Sequence, residues 1–224
     1  MTRAELLTEL KAVLGETGSD PAWGDPRLLD MLAEGQDQFC EDTGFFVDKS
    51  TAAICEFSSV IGTESYALSD RIIKVMGVFQ GTTKLGKFNE ADKYPDQQVG
   101  GAVDFPSTSQ APYAYQTDEE TGKIRLYPTP VAALTYTMRV HRYSAEWLAD
   151  TQVEPEIPRR FHRAMVEWAA FLALNDHDFE IQDDVKAADH LAAYTYYKNK
   201  GITAFNRIRG GETTITPNSS YVVN

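Results

Sequence analysis

Cysteine is scarce in this sequence: Cys40 and Cys55 are the two among 224 residues. Their spacing matches no zinc-binding motif, and two cysteines are too few for the disulfide framework of a small secreted domain. Cys40 falls on the apolar face of an expected helix, where a buried, reduced thiol is the expected state. The cysteines therefore predict neither a metal centre nor a disulfide-stabilised fold.

Long apolar runs are also missing. No stretch of about 18 apolar residues, the length that spans a bilayer, occurs in the sequence. The N-terminal segment MTRAELLTELKAVLG lacks the apolar core of a secretory signal. We therefore expect a soluble protein of a reducing cytoplasm, with no membrane partner.

Basic residues are outnumbered. Lys and Arg total 21 against 33 Asp and Glu, which gives a formal net charge of −12 and a pI near 4.8. This balance argues against a free-standing nucleic-acid-binding protein, because such proteins neutralise phosphates with a basic face. The acidic residues predict a solvated surface or, more sharply, a surface that repels a polyanion.

Catalytic motifs are absent as well. The sequence holds no HExxH, no G-x-S-x-G and no P-loop. The pair Asp183-Asp184 is better interpreted as a helix N-cap than as paired catalytic carboxylates, and His177, between Asp176 and Asp178, as part of an acidic loop at a helix end. His141 is expected to face solvent on a strand. The sequence predicts no enzyme, no metal and no cofactor.

Helical signals open the chain. Thr2 and Glu5 form a T-x-x-E capping box ahead of a leucine-rich stripe that ends at Gly15. Asp25, as N-cap, and Pro26 begin a second helix, which ends at Gly44.

A period near two follows and predicts strands. They are expected at residues 53–57 and 72–79, and at 113–116 paired with 123–127 through a turn that contains Gly122. Leu134, Tyr136, Met138 and Val140 alternate with polar residues, as in a half-buried strand. Residues 81–112 are long for a loop, and Trp147 and Leu148 are expected to cover the end of this module.

Helical spacing returns after Pro158. One helix is expected to bury the face that contains Phe161, Met165 and Trp168. A last helix starts near Asp183 or Asp184 and has an expected inner face of Val185, Ala188, Leu191, Ala192 and Thr195. Gly201 is expected to break it before residues 202–208. The tail from residue 211 has no helical period.

These elements predict an α+β fold. At 224 residues with 42% hydrophobic content, the length fits one domain with an insertion. We expect residues 1–44 and 151–210 to form a four-helix body, residues 45–150 an antiparallel β-rich insertion, and residues 211–224 an extended C-terminal arm.

Three features suggest contacts with other chains: the tyrosines of the last helix, a cluster of arginines, and the β-forming C-terminal tail. Residues and segments of these kinds are common at protein interfaces. The candidate subunit-interface residues are Arg139, Arg142, Arg159, Arg160, Arg163, Tyr194, Tyr196 and Tyr197. The candidate partner-binding residues of the arm are Ile215, Tyr221, Val222 and Val223.

The order of motifs resembles the head-to-tail connector (adaptor) proteins of tailed bacteriophages. The matching pattern is an early D-x-x-L-L-x-x-L-x-x-x-Q-x-x-F helix from Asp25 to Phe39, an L-Y-P-x-P step from Leu126 to Pro130, and an I-P-x-x-F-H-x-x-x-V-x-W-A segment from Ile157 to Ala169. The similarity covers residues 25–200, most closely 123–175.

The resemblance implies a homo-oligomeric ring of twelve copies below the portal protein. It further implies that the ring continues the DNA channel without binding DNA specifically, that a tail or nozzle protein docks on it, and that the C-terminal arm holds the portal. The expected location is the head–tail junction of the virion, after synthesis in the bacterial cytoplasm. The alternative, from a different class, is a cellular carbohydrate- or protein-binding module with a helical scaffold.

Overall fold

The computed structural model describes residues 1–15, 23–88, 111–117, 119–144, 153–176 and 183–210. These residues form a mixed α+β fold with five α-helices, one 3-10 helix and two β-sheets. The predicted α+β class is confirmed, while the four-helix body stays a prediction. The chain divides into two compact units. A helical unit combines Met1–Phe45 with Ala145–Asn224, and a sheet-containing unit spans Phe46–Ser144.

Helix α1 (Arg3–Leu14) begins at the predicted capping box. The Glu5 backbone N–H donates to Thr2 Oγ1, and the Thr2 N–H donates to Glu5 Oε2 at 2.9 Å. Gly15 ends the helix with φ +78°, a conformation that glycine adopts without strain.

Helix α2 (Asp25–Thr43) starts one residue earlier than expected. Gly24 is the N-cap, while Asp25 is already helical and pairs with Lys11. The predicted Asp25 N-cap is therefore wrong; its carboxylate instead lies in the first turn, where the helix dipole favours a negative charge. The side chains of Leu28, Leu32 and Phe39 are fully buried.

The third helix in chain order, α3 (Ala52–Cys55), is short and belongs to the other unit. The helical unit continues with a 3-10 turn (Arg159–Phe161) that leads into α4 (His162–Leu174). Helix α4 contacts α1, α2 and the last helix, α5 (Asp184–Gly210). Because neighbours surround it, α4 is buried on almost every side, with Ala164, Met165 and Val166 at 0% exposure.

Helix α5 buries a different face from the one predicted. Ala187, Tyr194 and Phe205 point into the helical unit, whereas Val185 is 75% exposed and Leu191 37% exposed. Gly201 does not end the helix. A Cβ at Gly201 would lie 2.7 Å from Phe39 Cζ, so glycine there permits α5 to approach α2.

The first sheet centres on an antiparallel pair, β4 (Ile72–Gln80) and β9 (Thr135–Arg142). Two short strands, β1 (Val47–Asp48) and β2 (Glu56–Ser58), pair with β9, and β5 (Thr83–Lys84) pairs with β4. The predicted alternation of β9 is confirmed, because Tyr136, Met138 and Val140 are all buried.

The strand expected at residues 53–57 is wrong over its first half. Ala52–Cys55 form α3, because the Thr51 carbonyl accepts hydrogen bonds from the N–H groups of Ile54 and Cys55. The strand β2 starts only at Glu56.

The second sheet has the order β3–β8–β7–β6, with β3 at Ser65–Ala67, β6 at Gly86–Lys87, β7 at Ala114–Gln116 and β8 at Lys123–Tyr127. The predicted β7–β8 hairpin is confirmed, and Gly122 has φ +72°. The expected antiparallel arrangement fails for one pair, since β6 and β7 run parallel. Both sheets contribute to one core, in which Val78, Leu126 and Tyr136 have 0% exposure.

Several predictions fall outside the described residues. These concern Trp147, Leu148, His177, most of residues 81–112, and the whole C-terminal arm with Ile215, Tyr221, Val222 and Val223.

Candidate interaction surfaces

A row of charged and polar side chains joins three helices of the helical unit. Glu167 on α4 is 5% exposed. Its carboxylate accepts hydrogen bonds from Arg163 Nε and from His190 Nδ1, each at 2.6 Å. Arg163 also pairs with Glu9 on α1. A buried carboxylate needs such partners, so this row fixes α1 and α5 against α4.

Arg142 has an equivalent role in the sheet unit. Its Nε donates to Asp48 Oδ2 at 2.8 Å, and the two side chains are 13% and 7% exposed. Asp48 Oδ1 also accepts the backbone N–H groups of Ser50 and Thr51. Burial alone would raise the pKa of Asp48, but hydrogen bonds from Thr51, Ser50 and Arg142 hold that pKa below its usual range. Asp48 therefore stays ionised and ties β9 to the turn before α3.

Neither cysteine presents a nucleophile. Cys40 and Cys55 are both free and buried. Burial and the nearby Asp48 charge raise the pKa of the Cys55 thiol to about 11. A buried, protonated thiol is not a nucleophile. The predicted buried position of Cys40 is confirmed.

Tyr194, a predicted interface residue, lies in the core of its own chain. It is 1% exposed and packs on Trp168 with ring centroids 4.8 Å apart. Its hydroxyl donates to Asp42 Oδ2 at 2.6 Å. Burial and this hydrogen bond raise the pKa of the phenol. Within one chain, Tyr194 therefore connects α5 to α2 and α4.

The remaining interface candidates are more accessible. Tyr196 is 55% exposed and lies under Lys200, whose Nζ is 4.4 Å from the ring centroid. Tyr197 is half-buried beside it. Arg139, Arg159 and Arg160 are exposed. Arg139 and Arg142 belong to the sheet unit and the other six candidates to the helical unit.

The histidines that the structure describes serve packing. His141 is 7% exposed, so other groups of the folded chain cover this side chain and its predicted solvent-facing place is wrong. His162 is 1% exposed, and its Nε2 lies 2.7 Å from the Ile157 carbonyl, to which it donates. Burial lowers the pKa of His162. Among the described residues, no group of His, Cys, Asp or Glu side chains could hold a metal ion.

One surface was missed by the sequence reasoning. An exposed row without a charged residue runs along α5 at intervals of three or four residues: Val185, Ala188, Ala192, Tyr196, Asn199 and Thr203. Much of it is the face that the apolar periodicity assigned to the core. The apolar periodicity of α5 was thus visible in the sequence, but it marks a surface that the chain does not bury within itself.

The described helices include none that is both long and apolar enough to cross a bilayer. The contacts described above hold helices and strands in place and leave Arg139, Arg159, Arg160 and Tyr196 exposed. The family model of the SU10 adaptor protein matches residues 1–219. The chain therefore belongs to the SU10 adaptor protein family, a family of phage head-to-tail adaptors. No curated protein matches the chain.

Family membership confirms the resemblance seen in the motifs from Asp25 to Ala169. It makes the chain a phage structural adaptor with a place in the virion, one that links components such as portal and tail. It supports this assignment and gives no support to the alternative of a cellular carbohydrate- or protein-binding module.

Proposed function

We propose that the chain forms a ring, of twelve copies, that joins the capsid portal to a tail or nozzle protein and continues the DNA channel. The family match over residues 1–219 carries this proposal. The protein needs no cofactor for such a role and is made in the cytoplasm of the bacterial host before it enters the virion.

The helical unit is the proposed ring-forming part. In the proposed four-helix body of residues 1–44 and 151–210, α4 contacts α1, α2 and α5. The Arg163–Glu9 pair fixes α1 against α4, and the hydrogen bond between Glu167 and His190 fixes α5 against it. A rigid body of this kind keeps its outer faces in fixed positions, as a closed ring requires. The insertion of residues 45–150 is then the part that meets the tail.

The exposed interface candidates are proposed to lie where copies meet. Arg159, Arg160 and Tyr196 are exposed, so they are available to a neighbour. In a chain of net charge −12, arginines at an interface pair with carboxylates of the next copy. The less accessible candidates have an indirect role: Arg142, Arg163 and Tyr194 fix the helices and strands that carry those contacts.

The channel is proposed to be acidic. Because DNA is a polyanion, a lumen lined by carboxylates repels it and provides no phosphate-binding groups. The net charge of −12 supports this proposal. A ring structure with a neutral or basic lumen would contradict it.

The arm of residues 211–224 is proposed to bind the portal through Ile215, Tyr221, Val222 and Val223. Its alternating β-forming residues suit addition to a sheet edge of the partner. Removal of residues 213–224 should weaken portal binding, measured by sedimentation with portal rings. Unchanged affinity would refute the role of the arm.

The ring itself is tested by mixing the full chain with the portal protein of the same genome. Negative-stain class averages should show added density with twelve-fold symmetry on one end of the portal. A chain that stays monomeric beside unmodified portals would refute the proposed function.

A further inference from the structure

The outward row of α5 has the pattern of a buried helix face but lies in solvent. Val185, Ala188, Ala192, Tyr196, Asn199 and Thr203 are all exposed. The row extends about 27 Å, at 1.5 Å per residue. Helices of soluble proteins usually turn a charged face outward, and charged residues make up 24% of this chain. An uncharged face of this length therefore indicates a contact surface.

The charges beside this row specify its partner. From His190 to Gly210 the sequence contains no Asp or Glu, although acidic residues predominate in the chain as a whole. Lys200 and Arg207 are exposed on this part of α5. Exposed Asp184, Lys186 and Asp189 flank the N-terminal part of the row, whereas on α5 only basic groups flank its C-terminal part. That C-terminal part is therefore complementary to an acidic surface.

Another face of the same chain is acidic in the required form. Asp30, Glu34, Asp37 and Glu41 follow one side of α2 at intervals of three or four residues, and all are exposed. Both helices belong to the helical unit. Two copies can therefore pair the basic end of one α5 with the acidic row of another α2. Because the two faces differ, such contacts run head to tail and can close into a ring.

We propose that the outward row of α5 is a binding surface for a second copy of this chain, whose acidic α2 row meets Lys200 and Arg207. Small side chains at Ala188 and Ala192 permit close approach of the neighbour, and the Tyr196 ring supplies apolar contact area. The inference rests on the proposed ring and identifies which faces of neighbouring copies form it.

The first test identifies the occupant. A photo-crosslinking amino acid is placed at Ala192 in the full chain, with Ala133, which is exposed in the sheet unit, as a control position. The chain is then assembled on portal rings of the same genome and irradiated. We expect a product made of two copies of the 25.0 kDa chain from Ala192. A product that contains portal or tail protein instead would overturn the inference but leave the ring intact.

The second test uses charge reversal. Lys200→Glu with Arg207→Glu should lower the amount of chain bound per portal by about tenfold or more, because like charges then face each other. Adding Asp30→Lys with Glu34→Lys should restore assembly, since every copy carries both faces. Lys74→Glu, on the exposed side of β4, is the control and should leave assembly unchanged.

These outcomes separate the two proposals. Folding of the variant with all four substitutions is judged by its circular dichroism spectrum and melting temperature. If both match the wild type and the variant still fails to assemble, the pairing of α5 with α2 is overturned. A wild-type chain that binds no portal would overturn the proposed function. In that event, the Ala192 crosslink is measured between free copies at high concentration, and its absence would overturn the contact too.

Discussion

Gly35 is placed where α2 and α4 pass close to each other. A Cβ at this position would lie 2.9 Å from the Met165 carbonyl oxygen and 3.2 Å from the Met165 Cα. It would also lie 3.3 Å from the Cβ of Trp168. Carbon atoms in good contact are about 3.5–4.0 Å apart. Since two of these atoms are α4 backbone, no change of rotamer relieves the overlap, and the helices must separate.

The substitution Gly35→Ala therefore sets two effects against each other. In a helix interior, alanine is favoured over glycine by about 1 kcal/mol. Overpacking of a dense core costs about 1–3 kcal/mol, and contact with backbone puts this site towards the upper end. We expect a net loss of about 1–2 kcal/mol in the free energy of unfolding. For a chain of this size, that lowers the melting temperature by roughly 2–8 °C.

Urea unfolding followed by far-UV circular dichroism measures this change. Ala192→Gly, at an exposed site of α5, is the matched control and should lose about 1 kcal/mol through helix propensity alone. A Gly35→Ala chain that is more stable than the wild type by about 1 kcal/mol would refute the close helix crossing.

Three further predictions concern buried ionisable groups, each measured by urea unfolding. Glu167→Ala should lower the free energy of unfolding by about 2–3 kcal/mol, less than the loss of a fully buried pair because Arg163 is 37% exposed. The control Glu120→Ala, in an exposed pair with Lys123, should lower it by at most about 0.5 kcal/mol. Equal losses would contradict the buried network. The pKa of Asp48 is depressed, so its stabilising contribution is full above pH 3.8 and decreases as pH falls further; Asp48→Asn should lack this acid-dependent part, and an unchanged acid profile would contradict the assignment. His162 has a lowered pKa in the folded chain, so the unfolded chain binds a proton at this residue first, and the wild type should lose stability as pH falls below 6.5. His162→Gln should lose less stability between pH 7.5 and 5.5. An identical dependence of stability on pH in the two proteins would count against a buried neutral His162.

Local patterns gave reliable predictions where the interactions are themselves local. The capping box of Thr2 and Glu5 placed α1, and the alternation of Tyr136, Met138 and Val140 placed β9. Each signal depends on residues within one or two turns of helix or on one strand. For that reason, these elements are visible in a single sequence.

The errors arose where distant contacts decide the structure. α5 has two faces that avoid charge, and its sequence alone does not tell which one faces its own chain. Gly201 follows the pattern of a helix end, yet α5 continues through it. Glycine is present there because Phe39 of α2 lies so close that a side chain would overlap it. His141 alternates like a solvent-facing residue, but the folded chain covers its side chain. The place of Tyr194 at a subunit interface stays a prediction; its burial within the chain involves a hydrogen bond to Asp42, a residue far away in sequence.

The discontinuous helical unit has a consequence for synthesis on the ribosome. Helix α4, which contacts α1 and α2, emerges roughly 120 residues after α2 is complete. At about 5–20 residues per second, the leucines and Phe39 of α2 wait for several seconds without the helix that buries them. The sheet unit, whose strands lie between Val47 and Arg142, is complete before α4 is made. The nascent chain thus finishes its sheets first, and its helical unit closes only when the last third of the sequence arrives.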